Sequence, residues 1–449
     1  MALDPKVFKA YDVRGIYPSE LDEDGAYATA RAYVEQFEPA SIAVGRDMRV
    51  SSPAMAEAVI RGAADAGAQV KDIGMIGTEM LYFGVGELDV DGGVMVTASH
   101  NPKEYTGMKI VRRGALPVGG DSGLLDIRER ALRIESSDSE KPPSAETVDI
   151  YPAFVDRVLS FVDVEQIRPL KVVIDAGNGM AGAMLPPILA RLPVEAVRCF
   201  FEPDGTFPNR APNPLLPEAR EFIVGKVRDE QADLGIAFDG DADRCFFVDD
   251  TGEFVPGDFV TTLLAESMLE KEPGAKIIYD VRASWAVPDT VKRLGGIPLV
   301  NRVGHAFIKE RMRKEGALFG GEVSGHYYFR DFNQADSGTI PALLMLELVS
   351  KRGKPLSELL LPFRKRYFLT GEINTPVPDV ALKLQELKEY FADQGEISHL
   401  DGISVTAKDW HMNVRPSNTE PLLRLNLEAL DPELMERKRD EALAVIRGD

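Results

Sequence analysis

The chain has 449 residues, 44% hydrophobic and 28% charged, which at ~100–200 residues per domain predicts about three domains with ample material for their cores. Its 52 Lys and Arg against 72 Asp and Glu leave a net charge of −20, which argues against nucleic acid or an anionic membrane as the main partner. An anionic small molecule stays open, because a local pocket can be cationic inside an acidic protein.

From Met1 to Gly15 the chain carries Asp4, Lys6 and Lys9 and no apolar core segment, so no signal peptide is expected. No stretch approaches ~18 uncharged apolar residues, so no membrane span is expected. Cys199 and Cys245, 46 positions apart, offer neither a disulfide framework nor a metal knuckle, and a reducing, cytoplasmic setting follows.

Strand-like apolar runs alternate with helical patterns, which predicts an α/β protein with largely parallel pairing. In chain order the clearest strands are Ser41–Val44, Gly93–Val96, Lys171–Ile174, Leu234–Phe238, Lys276–Tyr279 and Ala317–Phe319. Ser52–Ala66 and Gly257–Leu269 read as helices between them. Three times a strand ends in Asp within a polar loop, at Asp47, Asp175 and Asp280. Each time a second strand ends in a more polar loop, with Ser99, Asp239 and Glu322 lying 52, 64 and 42 positions on. This predicts three related α/β domains, each presenting one loop. Linkers are expected at Ser136–Glu146, near Asp249–Glu253 and near Arg364–Gly371. A helix over Val380–Gln394, a polar strand region over Ile403–Val414 and a last helix over Pro432–Val445 predict a smaller closing α+β domain.

The strongest chemical signal is FDGDADR. Asp239, Asp241 and Asp243 place three hard oxygen donors around one point after a strand, which suits Mg²⁺. An EF-hand would need Gly and Glu where Arg244 and Asp250 stand, and an aspartyl-phosphate motif would need Thr or Val at Asp243. In VMVTASHNPKEYTGMK, a strand followed by small residues and Asn101-Pro102 puts the Ser99 hydroxyl on a turn at the sheet edge, where α/β proteins bind ligands. His100 adjoins Ser99 and is poorly placed as its base, and no triad is readable. A metal loop, several cations and this hydroxyl together suggest a phosphoryl carrier.

Glu322, Ser324 and His326 in GGEVSGH would face one way in an extended chain and could grip vicinal sugar hydroxyls. RPSNTEP, with Arg415, Ser417, Asn418 and Thr419, has the composition of a phosphate cradle. Tyr11, Arg14, Arg46, Lys109, Arg282 and His305 complete the candidates, each alone reading as an ordinary charged or polar group at the surface. His399 and His411 have no supporting neighbours and receive no role.

Five motifs in order, KAYDVRG, TASHNP, DGDADR, GEVSGH and RPSNTEP, run along nearly the whole chain. In them the sequence resembles the α-D-phosphohexomutases, most closely the bacterial phosphomannomutase/phosphoglucomutase branch. The resemblance implies three related α/β domains with mixed sheets plus a smaller α+β domain around a central cleft. With the linkers above, the divisions fall at 1–146, 147–252, 253–366 and 367–449.

It further implies that Ser99 is carried phosphorylated, and that Asp239, Asp241 and Asp243 hold one Mg²⁺ per active site. Glu322 and Ser324 would hold sugar hydroxyls; Arg415, Ser417, Asn418 and Thr419 would hold the unreacting phosphate. Lys109 and His326, with Arg14 nearby, would transfer protons; Tyr11, Arg282 and His305 would bind substrate; His100, Asn101 and Arg244 would stand close by. The implied reaction interconverts hexose 6-phosphate and hexose 1-phosphate, of mannose or glucose, through a hexose 1,6-bisphosphate that also serves as activator. The phosphosugar is the expected partner, without nucleic acid or membrane, and a homodimer is compatible with this reading. His305 speaks against phosphoglucosamine mutases, which usually have Gly-Asp-Arg there. Where Lys is common in the branch stands Arg282, which can bind phosphate or hydroxyl but cannot shuttle a proton. A phosphosugar-binding regulator without turnover and a metal-dependent sugar phosphatase are the readings from other classes.

Overall fold

The structure, a computed structural model, describes residues 3–134, 144–417 and 422–448. They group into two compact units: unit 1 is Met1–Phe254 with His326–Pro355, and unit 2 is Val255–Gly325 with Leu356–Asp449.

In unit 1, Ser41–Arg46 runs parallel to Gln69–Met75 on one side and Gly92–Val96 on the other. Gly92–Val96 pairs antiparallel with Tyr105–Arg112, which continues to Val13–Ile16. Every residue of Gly92–Val96 is buried, so this strand reads as one apolar run rather than an alternation. The second sheet repeats the plan. Lys171–Asp175 lies parallel to Glu195–Cys199 and Leu234–Phe238, and the latter pairs antiparallel with Cys245–Asp249. Tyr327–Phe329, Ala335–Asp336 and the helix Thr339–Arg352 also belong to this unit.

In unit 2, Lys276–Asp280 runs parallel to Ile297–Asn301 and to Phe319–Gly321. The three-fold recurrence is therefore physical: each time the first strand is central, its far end carries Asp47, Asp175 or Asp280, and the third strand leads into a candidate loop. The C-terminal sheet differs, being antiparallel in the order Phe368–Pro376, Leu422–Ala429, Trp410–Pro416, Ile403–Thr406, Glu396–Ser398. Its alternating apolar side chains Met412, Val414, Leu423, Leu425 and Leu427 pack with Leu387, Leu443 and Ile446 of the helices Val380–Tyr390 and Pro432–Arg447. No helix among the described residues is long and apolar enough to cross a membrane.

Several local expectations change. Residues 135–143 of the first linker lie outside the described residues, and Glu146–Thr147 at its end is an edge strand beside Lys71 and Asp72. The Asp249–Glu253 stretch is a tight turn in which the Asp249 amide donates to the Glu253 carbonyl. The third linker shrinks to three residues between the helix Leu356–Arg364 and the strand starting at Phe368. The Ile403–Val414 region is a hairpin rather than one strand, because Lys408 and Asp409 form its turn.

Candidate active site

In unit 1 the candidate residues gather around Ser99, which follows the buried strand Gly92–Val96 and sits in the left-handed region at φ 50°. Such a conformation is uncommon outside glycine and needs outside support. The support comes from Arg49. Its guanidinium is buried and donates to the carbonyls of Ser99 (2.8 Å), Asn101 (2.6 Å), Pro102 (2.8 Å) and Tyr105 (3.1 Å). Asp47 balances it, with Arg49 Nε at 3.3 Å, and the Phe207 ring lies 5.1 Å from its centre. The Ser99 amide donates to Thr97 Oγ1 at 2.9 Å. Backbone of the acidic loop then lies directly on this turn: a Cβ at Gly240 would meet the Ser99 carbonyl at 2.6 Å, so only glycine fits.

The acidic loop follows Leu234–Phe238, and one oxygen from each of Asp239, Asp241 and Asp243 lies within 4.8 Å of the others. All three side chains are buried. Ser99 Oγ donates to Asp239 Oδ2 at 3.2 Å, and Arg244 Nη2 lies 2.8 Å from that same oxygen. Lys109 Nζ donates to Asp241 Oδ2 (2.7 Å) and Asp243 Oδ2 (2.5 Å). Asp241 Oδ1 and Asp243 Oδ1 are buried without a hydrogen-bond partner, which is the donor set a hard cation fills. Three carboxylates against Lys109 and Arg244 leave one negative charge in excess, so the residues fit Mg²⁺. Burial opposes charge on Lys109, but Asp241 and Asp243 outweigh it and hold its pKa well above the usual lysine value. Burial, with Arg244 and Arg14, pushes His100 well below the usual histidine range, so its ring is neutral. Arg14 Nη1 donates to Asn101 Oδ1 at 2.5 Å and pairs with Asp12. His326 Nδ1 lies 2.9 Å from Asp336 Oδ2 and 4.0 Å from Asp243 Oδ1.

Unit 2 holds the residues with binding chemistry. Arg282 Nε and Nη2 each reach Asp280 at 2.9 Å, Nη2 lies 3.8 Å from Glu322 Oε2, and Nη1 lies 3.5 Å from Glu372 Oε2. Glu372 also gathers Arg424 (2.7 Å) and Arg415 (3.8 Å), so three guanidinium groups share one carboxylate. Arg424 Nη2 donates to Ser417 Oγ at 3.3 Å. Three forked guanidinium donors converging on one carboxylate are a donor set that also suits a phosphate. The buried Glu322 accepts from the Gly304 amide at 3.2 Å, which sets the start of the helix His305–Glu315 beside it.

Tyr11 lies half-buried before the first strand, and Ser324 is half-buried in its turn. Asn418 and Thr419 lie outside the described residues. One expectation fails locally: Glu322, Ser324 and His326 do not form an extended face, because the Gly325 amide closes a turn onto the Glu322 carbonyl at 3.0 Å with Gly325 at φ 86°. Sequence reasoning also passed over Arg49, Thr78, Asp336, Glu372 and Arg424. Thr78 Oγ1 donates to Asp241 Oδ2 at 2.5 Å and its amide donates to the Asp241 carbonyl at 3.0 Å. A recurring Asp-x-Arg, at Asp12–Arg14, Asp47–Arg49 and Asp280–Arg282, was the available signal, since all three are ion pairs.

Four family models match in order: phosphoglucomutase/phosphomannomutase alpha/beta/alpha domain I over residues 5–137, domain II over 152–252, domain III over 256–367 and the C-terminal domain over 372–445. A phosphomannomutase of Salmonella montevideo is 46% identical, covering 98% of this chain and 99% of its own. A protein of Xanthomonas campestris described as phosphohexose mutases is 45% identical over 98% of this chain and 99% of its own. Among solved structures, a phosphoglucomutase/phosphomannomutase family protein of Burkholderia thailandensis superposes with a TM-score of 0.89 at 33% identity, covering 99% of this chain and 98% of that one.

Proposed function

Because the chain belongs to the phosphoglucomutase/phosphomannomutase family and is a phosphohexomutase, we propose that it moves a phosphoryl group between the C6 and C1 oxygens of mannose and glucose phosphates by way of Ser99. The observation that carries this reading is the Ser99 hydroxyl, buried, held at φ 50° by Arg49 and 3.2 Å from the carboxylate of Asp239.

In the first half-reaction the free sugar hydroxyl attacks the phosphorus of phospho-Ser99. A P–O bond to the sugar forms, the bond to Ser99 Oγ breaks, and the product is a hexose 1,6-bisphosphate. Its other phosphate then returns to Ser99. His326 takes up and returns the proton of the attacking hydroxyl, with Asp336 fixing its ring, while Lys109, kept charged by Asp241 and Asp243, stabilises the transferring phosphoryl oxygens rather than shuttling a proton. Arg14, which cannot serve as a base, orients oxygen atoms near Asn101. Asp239, Asp241 and Asp243 would hold Mg²⁺, which when bound would supply charge neutralisation for the transferring phosphoryl group. Arg415, Arg424 and Ser417, with Asn418 and Thr419, bind the phosphate that is not reacting; Arg282, Glu322, Ser324, His305 and Tyr11 bind the sugar. Added hexose 1,6-bisphosphate restores phospho-Ser99 in enzyme that has lost it.

The test is a coupled assay of mannose, glucose and glucosamine 1-phosphates with a trace of glucose 1,6-bisphosphate, on wild type and Ser99→Ala. Mg²⁺-dependent turnover of the first two sugars is expected, falling by orders of magnitude in the variant, with one added phosphate on Ser99 by intact mass. Full activity of Ser99→Ala overturns the phosphoserine route. Release of free phosphate at the turnover rate would mark a phosphatase instead.

A further inference from the structure

We infer that unit 2 carries a second binding site, distinct from its phosphosugar-binding residues, for a ligand that joins a planar ring to a short phosphate chain, the chemistry of a nucleoside diphosphate. The site is a cavity of about 480 Å³ walled on one side by the 279–285 segment and on the other by the C-terminal sheet. That volume falls within the ~300–1,000 Å³ typical of small-molecule sites.

Separation from the phosphosugar residues follows from which side chains line the cavity. Along 279–285 the odd positions Tyr279, Val281, Ala283 and Trp285 line the cavity. The even positions Asp280, Arg282 and Ser284 are buried and do not line it; Arg282 instead meets Glu322 and Glu372. The strand Trp410–Pro416 separates the two places along its length: His411 lines the cavity, while Arg415, four residues on and about 14 Å away at ~3.4 Å per residue, belongs to the arginine cluster.

The ring half of the ligand is read from a preformed aromatic wall. Trp285 stacks on His411 with ring centroids 4.7 Å apart and planes at 27°. Glu428, buried beneath, fixes both: its Oε1 accepts from the Trp285 amide at 3.0 Å and lies 3.3 Å from His411 Nε2. A flat, held aromatic pair is a surface on which a base stacks.

The phosphate half is read from charge. Lys292, Arg366 and Lys408 all line the cavity, and Asp289 is the one acid among its described lining residues, with Glu428 buried behind the aromatic pair. Asp289 is already engaged by the Tyr367 hydroxyl at 2.8 Å and by Arg366 at 3.6 Å. Neither Lys292 nor Lys408 has an ion-pair partner among the described residues. Two unopposed lysines beside an aromatic wall stand out in a chain of net charge −20. Ser404 and Thr406, facing the cavity from Ile403–Thr406, add hydroxyl donors suited to phosphate or ribose oxygens.

The test uses tryptophan fluorescence of the full chain without turnover, so it stands or falls independently of the mutase reading. Only Trp285 and Trp410 contribute, and Trp410 is buried in the C-terminal core. Titration with GDP should give saturable quenching that disappears in Trp285→Phe and persists in Arg415→Ala. Guanosine alone and pyrophosphate alone should each bind about tenfold or more weaker than GDP. The Lys292→Ala/Lys408→Ala variant, checked for an unchanged melting temperature and basal turnover, should lose about tenfold or more of the GDP affinity. Absence of saturable quenching, loss of binding in Arg415→Ala, equal binding of pyrophosphate and GDP, or unchanged affinity in the double lysine variant each overturns the inference.

Discussion

Asp47 in the first repeat and Asp280 in the third stand at the same place in the fold, and each pairs with an arginine two residues on, yet the two arginines serve differently. Asp47 accepts from the Arg49 amide at 2.9 Å, and Asp280 accepts from the Arg282 amide at 2.8 Å, so both acids close the same small turn. Arg49 then directs its remaining donors at four carbonyls of the Ser99 turn. Arg282 grips Asp280 with two nitrogens and extends the third towards Glu372. The second repeat shows why the pairing is structural in origin. There Asp175 takes its arginine from 35 positions away, Arg210, which donates to the Phe238 carbonyl behind the acidic loop. The residue two after Asp175 is Gly177, where a Cβ would lie 2.5 Å from the Arg210 guanidinium. A buried acid at the strand end thus fixes a guanidinium in every repeat. Whether the remaining donors meet backbone or stay open to a ligand decides between scaffold and binding site.

The largest effect should come from breaking the scaffold version. Arg49→Ala removes the guanidinium that balances buried Asp47, which keeps the residue 49 amide and the Ser52 hydroxyl, and strips four carbonyls of the Ser99 turn of their donor, which together should cost about 3–5 kcal/mol of unfolding free energy. Urea unfolding should register that loss, and turnover should fall with it because the Ser99 turn loses its support. Arg282→Ala should behave in the opposite sense. Asp280 keeps the backbone donors of residue 282 and Val323, the latter at 3.0 Å, so stability should change less. Substrate binding, losing charge-assisted bonds of about 1.5–3 kcal/mol, should weaken by roughly 10–100-fold in KM. Equal destabilisation by the two substitutions with KM unmoved in Arg282→Ala would break the comparison. A smaller effect is expected at Thr78, which touches the acidic loop without being a ligand. Thr78→Val should lower Mg²⁺ affinity by about tenfold, read from calorimetric titration and from the Mg²⁺ dependence of turnover, with KM for sugar unchanged.

The sequence carried the three-fold α/β plan because each repeat writes it locally, as an apolar strand, an acid and a polar loop. Ser99 and Asp239, Asp241 and Asp243 were legible for the same reason: their chemistry is packed into single loops. What stayed illegible is held together by contacts remote along the chain. Arg49 meets carbonyls about 50 positions away, and Thr78 meets Asp241 across 163. Arg424 meets Glu372 across 52. Sequence reasoning singled out Arg46 in GRDMR, whereas Arg49 in the same segment is the one buried behind Ser99. The GEVSGH motif looks extended in the sequence because nothing short of the fold says that Gly325 closes a turn. His411 received no role, since Trp285 and Glu428, which give it a place in the fold, come from distant parts of the chain.

Glu79 sharpens the comparison from the other side, as a buried acid served by hydroxyls rather than by a guanidinium. It opens the helix Thr78–Glu87, is fully buried, and accepts from Thr339 Oγ1 at 2.5 Å, from the Thr339 amide at 3.2 Å and from the Ser337 hydroxyl. Burial pushes its carboxyl up to about 8 against these donors, from an ordinary 4.5. Between those two values the folded chain keeps a proton that the unfolded chain has released. Stability from this group is therefore complete below about 4.5 and declines as pH rises towards 8, with a slope of up to about 1.4 kcal/mol per pH unit. Glu79→Gln, which carries no proton to lose, should flatten that slope when urea unfolding is measured between pH ~5 and ~8.5. Parallel stability curves for the two proteins would mean that the Ser337 and Thr339 donors already hold Glu79 ionised, as a nearby arginine would.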